Sequence, residues 1–514
     1  KFQADRNVSQ KCNNMIAAID VGSNAMRLAI ASIQDDHQPM VRESAREPVR
    51  LGQDVFAKGA ITEETAKQAV EAFGRFRHLM DKHGVQRWRA VATSAMREAR
   101  NRDEIIARIF QASGIQIMVI GGEEEARLVF LAVANQVGLK NKLALLVDIG
   151  GGSVEITVVA NARIAVTESF RMGAVRLLKE LEDSGLGERA FNQLVREYVD
   201  ATRRRIKKEL GDKQIDLCVA TGGNVESLGD LRQRRFHKEN NILTAPELEE
   251  LIKEMQAMTF EERVRKLELR PDRADVIIPA AIVLQKIMKQ AGVGEVQIPH
   301  VGLKEGMLLD LVAEAHHEKN GDLRDQVLAS ALQLGRQYAF EEPHGTIVAR
   351  FAGQLFDNTR ALHNLDPKYR LLLEVAAMLH DIGHCVTITN HHKHSCYLLL
   401  NSPLIGLTES QRAIVAHVAR YHRKSAPNPR HESYCNLPVK EQAIVAKLAA
   451  LLRIADALDK EHEGKVKSFE VEYRDPQMIL RLKGDGDLLL ERWAVAKKSE
   501  LFEEEFCVKM KIAD

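Results

Sequence analysis

"LVDIGGGS", residues 146–153, describes an apolar strand that ends at Asp148 and runs into three consecutive glycines. "AAIDVGSN", residues 17–24, repeats this arrangement around Asp20 with a shorter glycine turn. Glycines let the backbone approach an oxyanion closely and direct successive N–H groups at it. An aspartate at the end of a strand can hold a Mg²⁺ ion that neutralises phosphates. A single D-x-G segment is usually just a turn, but two copies in matching strand contexts predict a duplicated α/β unit that binds phosphate.

The chain shows two α/β stretches before its composition changes. Strand and helix patterns alternate from residue 15 to about 135, restart near residue 141 and continue to about 315. Thirteen of the eighteen histidines lie between residues 301 and 470, where the pattern is almost entirely helical. The predicted domains are an extension (1–14), two α/β domains (15–135 and 136–315), an all-α domain (320–467) and a small α+β end (468–514).

The bulk composition excludes several function classes. A chain of 514 residues is too long for one hydrophobic core. Its 73 lysines and arginines balance 72 aspartates and glutamates, so neither nucleic acid nor a membrane surface is expected as a partner, and local clusters must hold any anionic substrate. Six cysteines without a C-x-x-C pair favour a reducing cytoplasm. No apolar run has the length of a spanning helix, and the polar first fourteen residues lack the apolar stretch of a signal peptide.

Two further segments carry groups that suit phosphate chemistry. "ATSAMREARN" (92–101) places Thr93, Ser94 and Arg97 directly after a strand, where they could contact phosphate oxygens, although Ser94 could equally be an ordinary helix N-cap. "GGEEEARL" (121–128) places three carboxylates at a helix N-terminus, and the helix dipole alone accounts for one or two of them. Hydrolysis of a phosphoanhydride also needs a carboxylate that orients or deprotonates water, and this run could supply it.

Five segments together resemble one known family. They are "AAIDVGSNAMRL", "ATSAMREARN", "GGEEEARL", "DIGGGSVEI" and "ATGGNVESL", and their order and spacing are similar to those of the exopolyphosphatase/guanosine pentaphosphate phosphohydrolase family over roughly residues 15–312. That family belongs to the superfamily of actin-like, sugar-kinase and heat-shock-protein ATPases. The resemblance implies two ribonuclease-H-like domains of actin type with the substrate in the cleft between them. It also implies a homodimer, and Mg²⁺ held near Asp20, Asp148 and a carboxylate of the E-E-E run.

The resemblance implies roles for single residues as well. Glu125 aligns with the family's catalytic base and Glu124 stands beside it, while the extra Glu123 leaves this choice open. Arg97 is implied to act with them by contacting phosphate. The implied phosphate-binding residues are Gly22, Ser23, Asn24, Thr93, Ser94, Gly150, Gly151, Gly152, Ser153 and, behind them, Glu155.

"LHDIGHC" (379–385) raises the question of a second metal-dependent site. Asp381 could simply end the apolar helix before it, with Gly383 in the following turn. With His344, His380 and Asp456, however, it resembles the H…HD…D pattern of HD-domain phosphohydrolases, which are helical proteins that bind one or two divalent metals. This resemblance predicts an HD-like helical domain.

Two more histidines are expected to complete a second metal position in that domain. They are His394 in "HHKHS" (391–395) and His422 in "HVARYHRK" (417–424). Imidazole and carboxylate ligands together suit Mn²⁺, Fe²⁺, Ni²⁺ or Zn²⁺. The alternative is that this region keeps the helical fold without metal, binding long polyphosphate and forming a dimer, as often occurs in the family. We interpret the remaining candidates as ordinary polar residues, namely His363, His384 and His431.

These observations lead to one expected function and two alternatives. We expect a cytoplasmic, Mg²⁺-dependent exopolyphosphatase that processively removes terminal phosphate from inorganic polyphosphate. The first alternative is hydrolysis of guanosine pentaphosphate in the same cleft. The second places the principal activity at the C-terminal site, as a metal-dependent HD phosphohydrolase.

Overall fold

A computed structural model describes residues 15–513, apart from residues 185–196, 198–213, 316–320, 403 and 475. The predicted extension, residues 1–14, lies outside the described residues. The chain divides between residues 320 and 321 into two compact units, called here the N-terminal unit and the C-terminal unit. In the described ranges, no helix combines the length and the apolar character that crossing a membrane requires.

The first sheet of the N-terminal unit has five strands. They are β1 (Met15–Val21), β2 (Met26–Ile33), β3 (Pro39–Glu47), β4 (Arg87–Ala92) and β5 (Ile117–Val119). Their order in the sheet is β3–β2–β1–β4–β5. The central strand β1 pairs antiparallel with β2 and parallel with β4.

The second sheet repeats this plan. Its strands are β6 (Leu143–Ile149), β7 (Val154–Ala160), β8 (Arg163–Phe170), β9 (Leu217–Thr221), β10 (Ile242–Thr244) and β11 (Glu295–Gln297). They lie in the order β10–β11–β9–β6–β7–β8. Strand β6 pairs antiparallel with β7 and parallel with β9, as β1 does with β2 and β4. The duplication predicted from the two glycine turns is therefore confirmed.

Amphipathic helices cover both sheets of the N-terminal unit. They are α1 (Leu51–Lys58), α2 (Glu63–Lys82), α3 (Ser94–Glu98), α4 (Arg102–Ser113), α5 (Gly122–Gln136), α6 (Ala174–Ser184), α7 (Gly223–Phe236), α8 (Ala245–Gln256), α9 (Phe260–Lys266), α10 (Pro271–Ala274), α11 (Ile277–Ala291) and α12 (Leu303–Ala315). Helix α2 shows why they form: Thr62 accepts a hydrogen bond from the N–H of Thr65 at its start, and its apolar residues recur at helical spacing on one buried face.

The C-terminal unit is mainly helical, as predicted. Its helices are α13 (Gly321–Gln337), α14 (Glu342–Asn358), α15 (Arg360–His363), α16 (Lys368–Leu379), α17 (His391–Asn401), α18 (Glu409–Arg420), α19 (Glu432–Cys435), α20 (Val439–Ala457), α21 (Leu489–Lys498) and α22 (Glu500–Phe506), with a 3₁₀ turn at Ile382–Cys385. Helix α14 packs against α16 and α20 around one apolar core. Strands β12 (Val466–Arg474), β13 (Gln477–Gly484) and β14 (Lys509–Ala513) form a small sheet on the same core.

Candidate active site

The two glycine turns occupy equivalent places in the two sheets. Asp20 is the next-to-last residue of β1, and Asp148 is the next-to-last residue of β6. Backbone hydrogen bonds hold each turn against a helix of its own half. Gly52 N–H donates to Ser23 O over 2.8 Å, and Val175 N–H donates to Gly151 O over the same distance. These backbone contacts thus hold both turns in place without a contribution from the side chains of the site.

The turns meet each other because glycine leaves room for a close approach. A Cβ on Gly151 would lie 3.1 Å from the Cβ of Ser23, and one on Gly152 would overlap Ser94 and lie 2.5 Å from Phe56. Among the described residues, the N–H groups of Gly151 and Gly152 find no hydrogen-bond acceptor. They remain available to an anion in the cleft.

A cavity opens between these turns and contains most of the predicted phosphate-binding residues. Its lining includes Gly22, Ser23, Asn24, Thr93, Ser94, Gly150, Gly151, Gly152 and Ser153. The side-chain amide of Asn24 is already engaged, because it donates to Asp272 O (2.7 Å) and accepts from Arg50 Nε (3.0 Å). Asn24 therefore contributes shape to the cavity more than a free side-chain donor.

Buried carboxylates gather at the same cavity: Glu125 and Asp148 line it, and Glu155 lies behind them. Oxygen atoms of Glu125, Asp148 and Glu155 lie within 4.8 Å of one another. Thr221 Oγ1 donates to Asp148 (2.7 Å), and Ser169 Oγ donates to Glu155 (2.7 Å). The Oε2 atoms of Glu125 and Glu155 are buried and have no hydrogen-bond partner. Unpaired buried oxygens of like charge are unstable unless a cation or protons neutralise them.

Burial, with repulsion between neighbouring carboxylates as a smaller cause, raises the pKa values of this group. Burial raises the pKa of Asp20 to about 6, and nearby Asp148 adds to the increase. Burial, again reinforced by Asp148, raises the pKa of Glu155 to about 7. Burial and then Glu155 hold the pKa of Glu125 well above its ordinary value. An all-oxygen set with unsatisfied buried atoms fits Mg²⁺, which prefers carboxylate ligands.

The structure corrects the placement of Glu124. Its carboxylate forms a two-point ion pair with Arg127, with Nε and Nη2 each 2.8 Å from a carboxylate oxygen. Arg127 is buried and also binds Asp310 on α12. Glu124 therefore ties α5 to α12 and is absent from the lining of the cavity, which Glu125 reaches.

Replacing Glu124 by glutamine is expected to destabilise the protein by about 1–3 kcal/mol, because buried Arg127 would keep a full ionic partner only in Asp310. Phosphate release per folded molecule should stay near that of the parent. Urea denaturation and steady-state kinetics measure the two effects separately. Glu123→Gln is the matched control, since it removes a carboxylate from the same helical turn without touching Arg127. A loss of turnover as severe as that of a Glu125 variant would contradict the structural role.

Arg97 lies beside the carboxylates and outside the cavity lining. Its Nη1 donates to the carbonyl of Ile120 over 2.5 Å. Its charge lowers the pKa of both Glu125 and Glu155, although burial outweighs this effect. In this structure Arg97 therefore acts on the carboxylates electrostatically, whereas the resemblance implied a contact with phosphate.

Three cations of the cleft were not expected from the sequence. Arg27, Arg273 and Lys304 line the cavity, and burial together with Arg27 lowers the pKa of Arg273 to about 9. The position of Arg27 could have been predicted from the sequence, because antiparallel pairing of β1 with β2 places it opposite Asp20. Arg273 and Lys304 reach the cavity from α10 and α12, and no local motif marks them. Acidic Glu226 also lines the cavity.

The C-terminal unit gathers a second group of candidate ligands. Ring nitrogens and carboxylate oxygens of His344, His380 and Asp456 lie within 4.8 Å of one another, and so do those of His380, Asp381 and His422. Further histidines join these residues. We call the whole set the histidine–aspartate cluster: His344, His380, Asp381, His384, His391, His422, Asp456 and His462.

His394, expected as a ligand, is not part of this cluster, and the structure corrects that choice. His391 begins α17 and places its Nε2 3.0 Å from Asp381 Oδ1. His394 lies three residues further along α17, with its Cβ beside Gly383, and belongs to none of the ligand groups among the described residues. His384, interpreted above as an ordinary polar residue, instead contacts His391 (Nε2 to Nδ1, 2.7 Å).

Comparison with known proteins places this architecture in a family. Residues 29–315 match the Ppx/GppA phosphatase family. The chain belongs to the Ppx/GppA phosphatase family. Residues 327–504 match domain III of the Ppx/GppA phosphatases, which covers most of the C-terminal unit. As a member of this family, the protein is a hydrolase of phosphoric anhydrides, and the sheets of its N-terminal unit correspond to the actin-like fold of Ppx/GppA proteins.

Individual Ppx/GppA relatives fall under two names. A guanosine-5'-triphosphate,3'-diphosphate pyrophosphatase of Vibrio parahaemolyticus is 27% identical over 442 residues, covering 85% of this chain and 86% of the relative. One of Photobacterium profundum is 25% identical over 481 residues, or 91% of each chain. Among solved structures, an exopolyphosphatase of Cytophaga hutchinsonii is 27% identical with a TM-score of 0.53, covering 58% of this chain and 98% of that one. The Aquifex aeolicus family member, 24% identical with a TM-score of 0.50 over 60% of this chain and 99% of its own, agrees in fold.

Proposed function

We propose that the protein is an exopolyphosphatase that removes terminal phosphate from inorganic polyphosphate in the cleft of the N-terminal unit. The observation that carries this proposal is the position of Glu125. Its buried carboxylate has an unpaired Oε2 and reaches the cavity that the two glycine turns enclose. Hydrolysis requires this combination of a basic oxygen and anion-binding N–H groups.

The chain's own residues account for the chemical step. A water molecule attacks the terminal phosphorus, and Glu125 accepts its proton as the new P–O bond forms. The bridging anhydride oxygen leaves with the shortened chain. The free N–H groups of Gly151 and Gly152 face the charge that develops on the phosphoryl oxygens. Asp148 and Glu155, with Asp20 nearby, would hold Mg²⁺, which neutralises phosphate charge when bound.

The lining of the cavity favours a bare polyphosphate over a nucleotide. Its described part contains small polar residues, glycines and cations, and it contains no phenylalanine, tyrosine or tryptophan on which a base could stack. Arg27, Arg273 and Lys304 lie along it and can hold phosphates behind the terminal one. Retention of the shortened chain by such cations supports processive hydrolysis.

A second candidate, hydrolysis of guanosine pentaphosphate in the same cleft, is favoured by a different observation. Two relatives named guanosine-5'-triphosphate,3'-diphosphate pyrophosphatase align with 85% and 91% of the chain. The two substrates share the triphosphate-like end that the glycine turns would bind, so the chemistry of the cleft is common to both.

Phosphate release from long-chain polyphosphate and from guanosine pentaphosphate, measured side by side with Mg²⁺, separates the candidates. The proposal predicts the larger kcat/KM on polyphosphate. Efficient release from guanosine pentaphosphate with little from polyphosphate would establish the second candidate instead.

A further inference from the structure

The glycine turn of the second sheet has its carbonyl groups directed toward helix α6. Gly150 O accepts a hydrogen bond from Ala174 N–H over 3.1 Å. Gly151 O accepts two, from Val175 N–H (2.8 Å) and Arg176 N–H (3.1 Å). These donors belong to the first turn of α6 and have no acceptor inside the helix. A carbonyl and the N–H of the next residue point in opposite directions across a trans peptide bond, so the N–H groups that follow these carbonyls point away from α6.

The third carbonyl of the turn, Gly152 O, is bound by a side chain. Arg176 Nε donates to it over 2.9 Å, and Gly173 N–H adds a longer bond of 3.3 Å. The charged guanidinium makes the stronger of these two bonds. Holding Gly152 O on this side turns the N–H of Ser153 to the opposite side, and Ser153 lines the cavity. Arg176 therefore fixes the direction of the Ser153 N–H.

The guanidinium of Arg176 is itself held by the other half of the N-terminal unit. Its Nη2 donates to Glu98 Oε1 over 2.6 Å, and its Cζ lies 4.1 Å from the ring centroid of Phe56. Glu98 ends α3 and Phe56 lies on α1, and both helices belong to the first α/β half. Arg176 is buried, so water competes little for these contacts. The side chain thus connects the glycine turn of one half to two helices of the other.

Arg176 acts through the backbone, because its side chain does not reach the cavity. It is not among the described residues that line the cavity. Its Nε and Nη2 are already bound to Gly152 and Glu98. Arg176 therefore differs from the cations of the cleft, which can contact phosphate directly.

We propose that Arg176 is a positioning residue for phosphoanhydride hydrolysis, which through Gly152 O holds the Ser153 N–H toward the phosphoryl group under attack. This role rests on the hydrolysis proposed for the cleft. An N–H group held in this way stabilises charge that develops in the transition state without having to reorient. Because Glu98 and Phe56 hold the guanidinium, the orientation of this N–H also depends on the contact between the two halves.

The test is the separation of kcat from KM for polyphosphate in Arg176→Met, measured on the full chain with Mg²⁺. Methionine keeps much of the apolar contact with Phe56 and removes both hydrogen-bond donors. The value of kcat should fall by about 10–10²-fold, which is less than the roughly 10²–10³-fold loss that follows outright removal of one such donor. KM should change by less than about threefold, because the lost interaction belongs to the transition state.

Arg232→Met is the matched control. Arg232 is another buried arginine of the second half, and it contacts Glu247 (Nε to Oε2, 3.4 Å) and donates to the carbonyl of Asn240 (2.5 Å). It lies outside the lining of the cavity. This variant should lose stability, as Arg176→Met does, but its kcat per folded molecule should stay near that of the wild type.

Arg176→Lys, compared with Arg232→Lys, repeats the measurement with the positive charge retained. The single ammonium group of lysine cannot bind Gly152 O and Glu98 together as the planar guanidinium does. The kcat of Arg176→Lys should therefore lie between those of Arg176→Met and the wild type. If Arg176→Met does not fold, the lysine pair alone carries the test, with the lower kcat expected for Arg176→Lys.

Equal kcat values per folded molecule in the Arg176 and Arg232 variants would overturn the positioning role, and so would a loss confined to KM. Glu125→Gln is measured beside them, because it tests hydrolysis in the cleft itself. An inactive Glu125→Gln together with such equal kcat values would overturn the positioning role alone. Retained turnover in Glu125→Gln would overturn the function proposed for the cleft and this inference with it.

Discussion

Glu125→Gln is expected to lower kcat for polyphosphate by about 10²–10⁴-fold with little change in KM. Glutamine has nearly the same size as glutamate, but it cannot accept the proton of the attacking water. The substitution replaces one oxygen of the buried carboxylate, whose Oε2 has no hydrogen-bond partner, by an amide nitrogen. Steady-state release of inorganic phosphate at saturating polyphosphate and Mg²⁺ measures the effect.

Glu123→Gln provides the comparison, because it removes a negative charge from the same first turn of α5. Glu123 is not part of the cavity lining, so turnover by this variant should stay near the wild-type value. If the two variants lose activity equally, the effect belongs to the general charge of the helix N-terminus, and Glu125 is not the base.

Gly306→Ala is expected to destabilise the protein by about 3 kcal/mol or more. Gly306 lies on α12 where that helix crosses α5, and a Cβ there would overlap the backbone carbonyl of Leu128. Neither backbone can yield without separating the two helices. Since α5 also carries Glu125, the separation should reduce turnover of the molecules that remain folded. The midpoint of urea denaturation and the specific activity at low temperature measure these two consequences.

Gly74→Ala is the matched control for this substitution. Gly74 also lies inside a helix, α2, but nothing lies within 4 Å of the position that its Cβ would occupy. Alanine there should raise the free energy of unfolding by about 0.5–1 kcal/mol, because it restricts the unfolded chain and favours the helix. A similar loss of stability in both variants would show that the contact between α5 and α12 is unimportant.

The sequence alone predicted the parts of the site that depend on local pattern. Asp20 and Asp148 each end an apolar strand before glycines, so both the duplication and the position of the turns could be expected. The choice between Glu124 and Glu125 could not. Adjacent helical residues point in directions about 100° apart. Arg127, the partner of Glu124, is itself held by Asp310, which lies far along the chain on another helix.

In the C-terminal unit, too, the sequence pattern predicted some site residues and not others. His344, His380, Asp381 and Asp456 were selected by their order in the sequence, and the structure brings them together. Selecting His394 in place of His391 was wrong, because the spacing within "HHKHS" does not reveal where α17 begins. Helix α17 begins at His391, and the imidazole ring of His391 lies against Asp381.

His462 was missed because no motif surrounds it. It lies beyond α20 and stacks on His344, with ring centroids 3.6 Å apart. Tertiary packing of distant segments decides such contacts, and a pattern read along one segment does not contain that information.

Phosphate release from long-chain polyphosphate by Glu125→Gln and by the His380→Ala/Asp381→Ala double variant, side by side with the wild type, tests the central claim most directly. The account predicts that Glu125→Gln removes turnover while the double variant, altered only in the C-terminal unit, still hydrolyses polyphosphate. Retained turnover in Glu125→Gln together with its loss in the double variant would contradict the account and place the hydrolytic chemistry in the C-terminal unit.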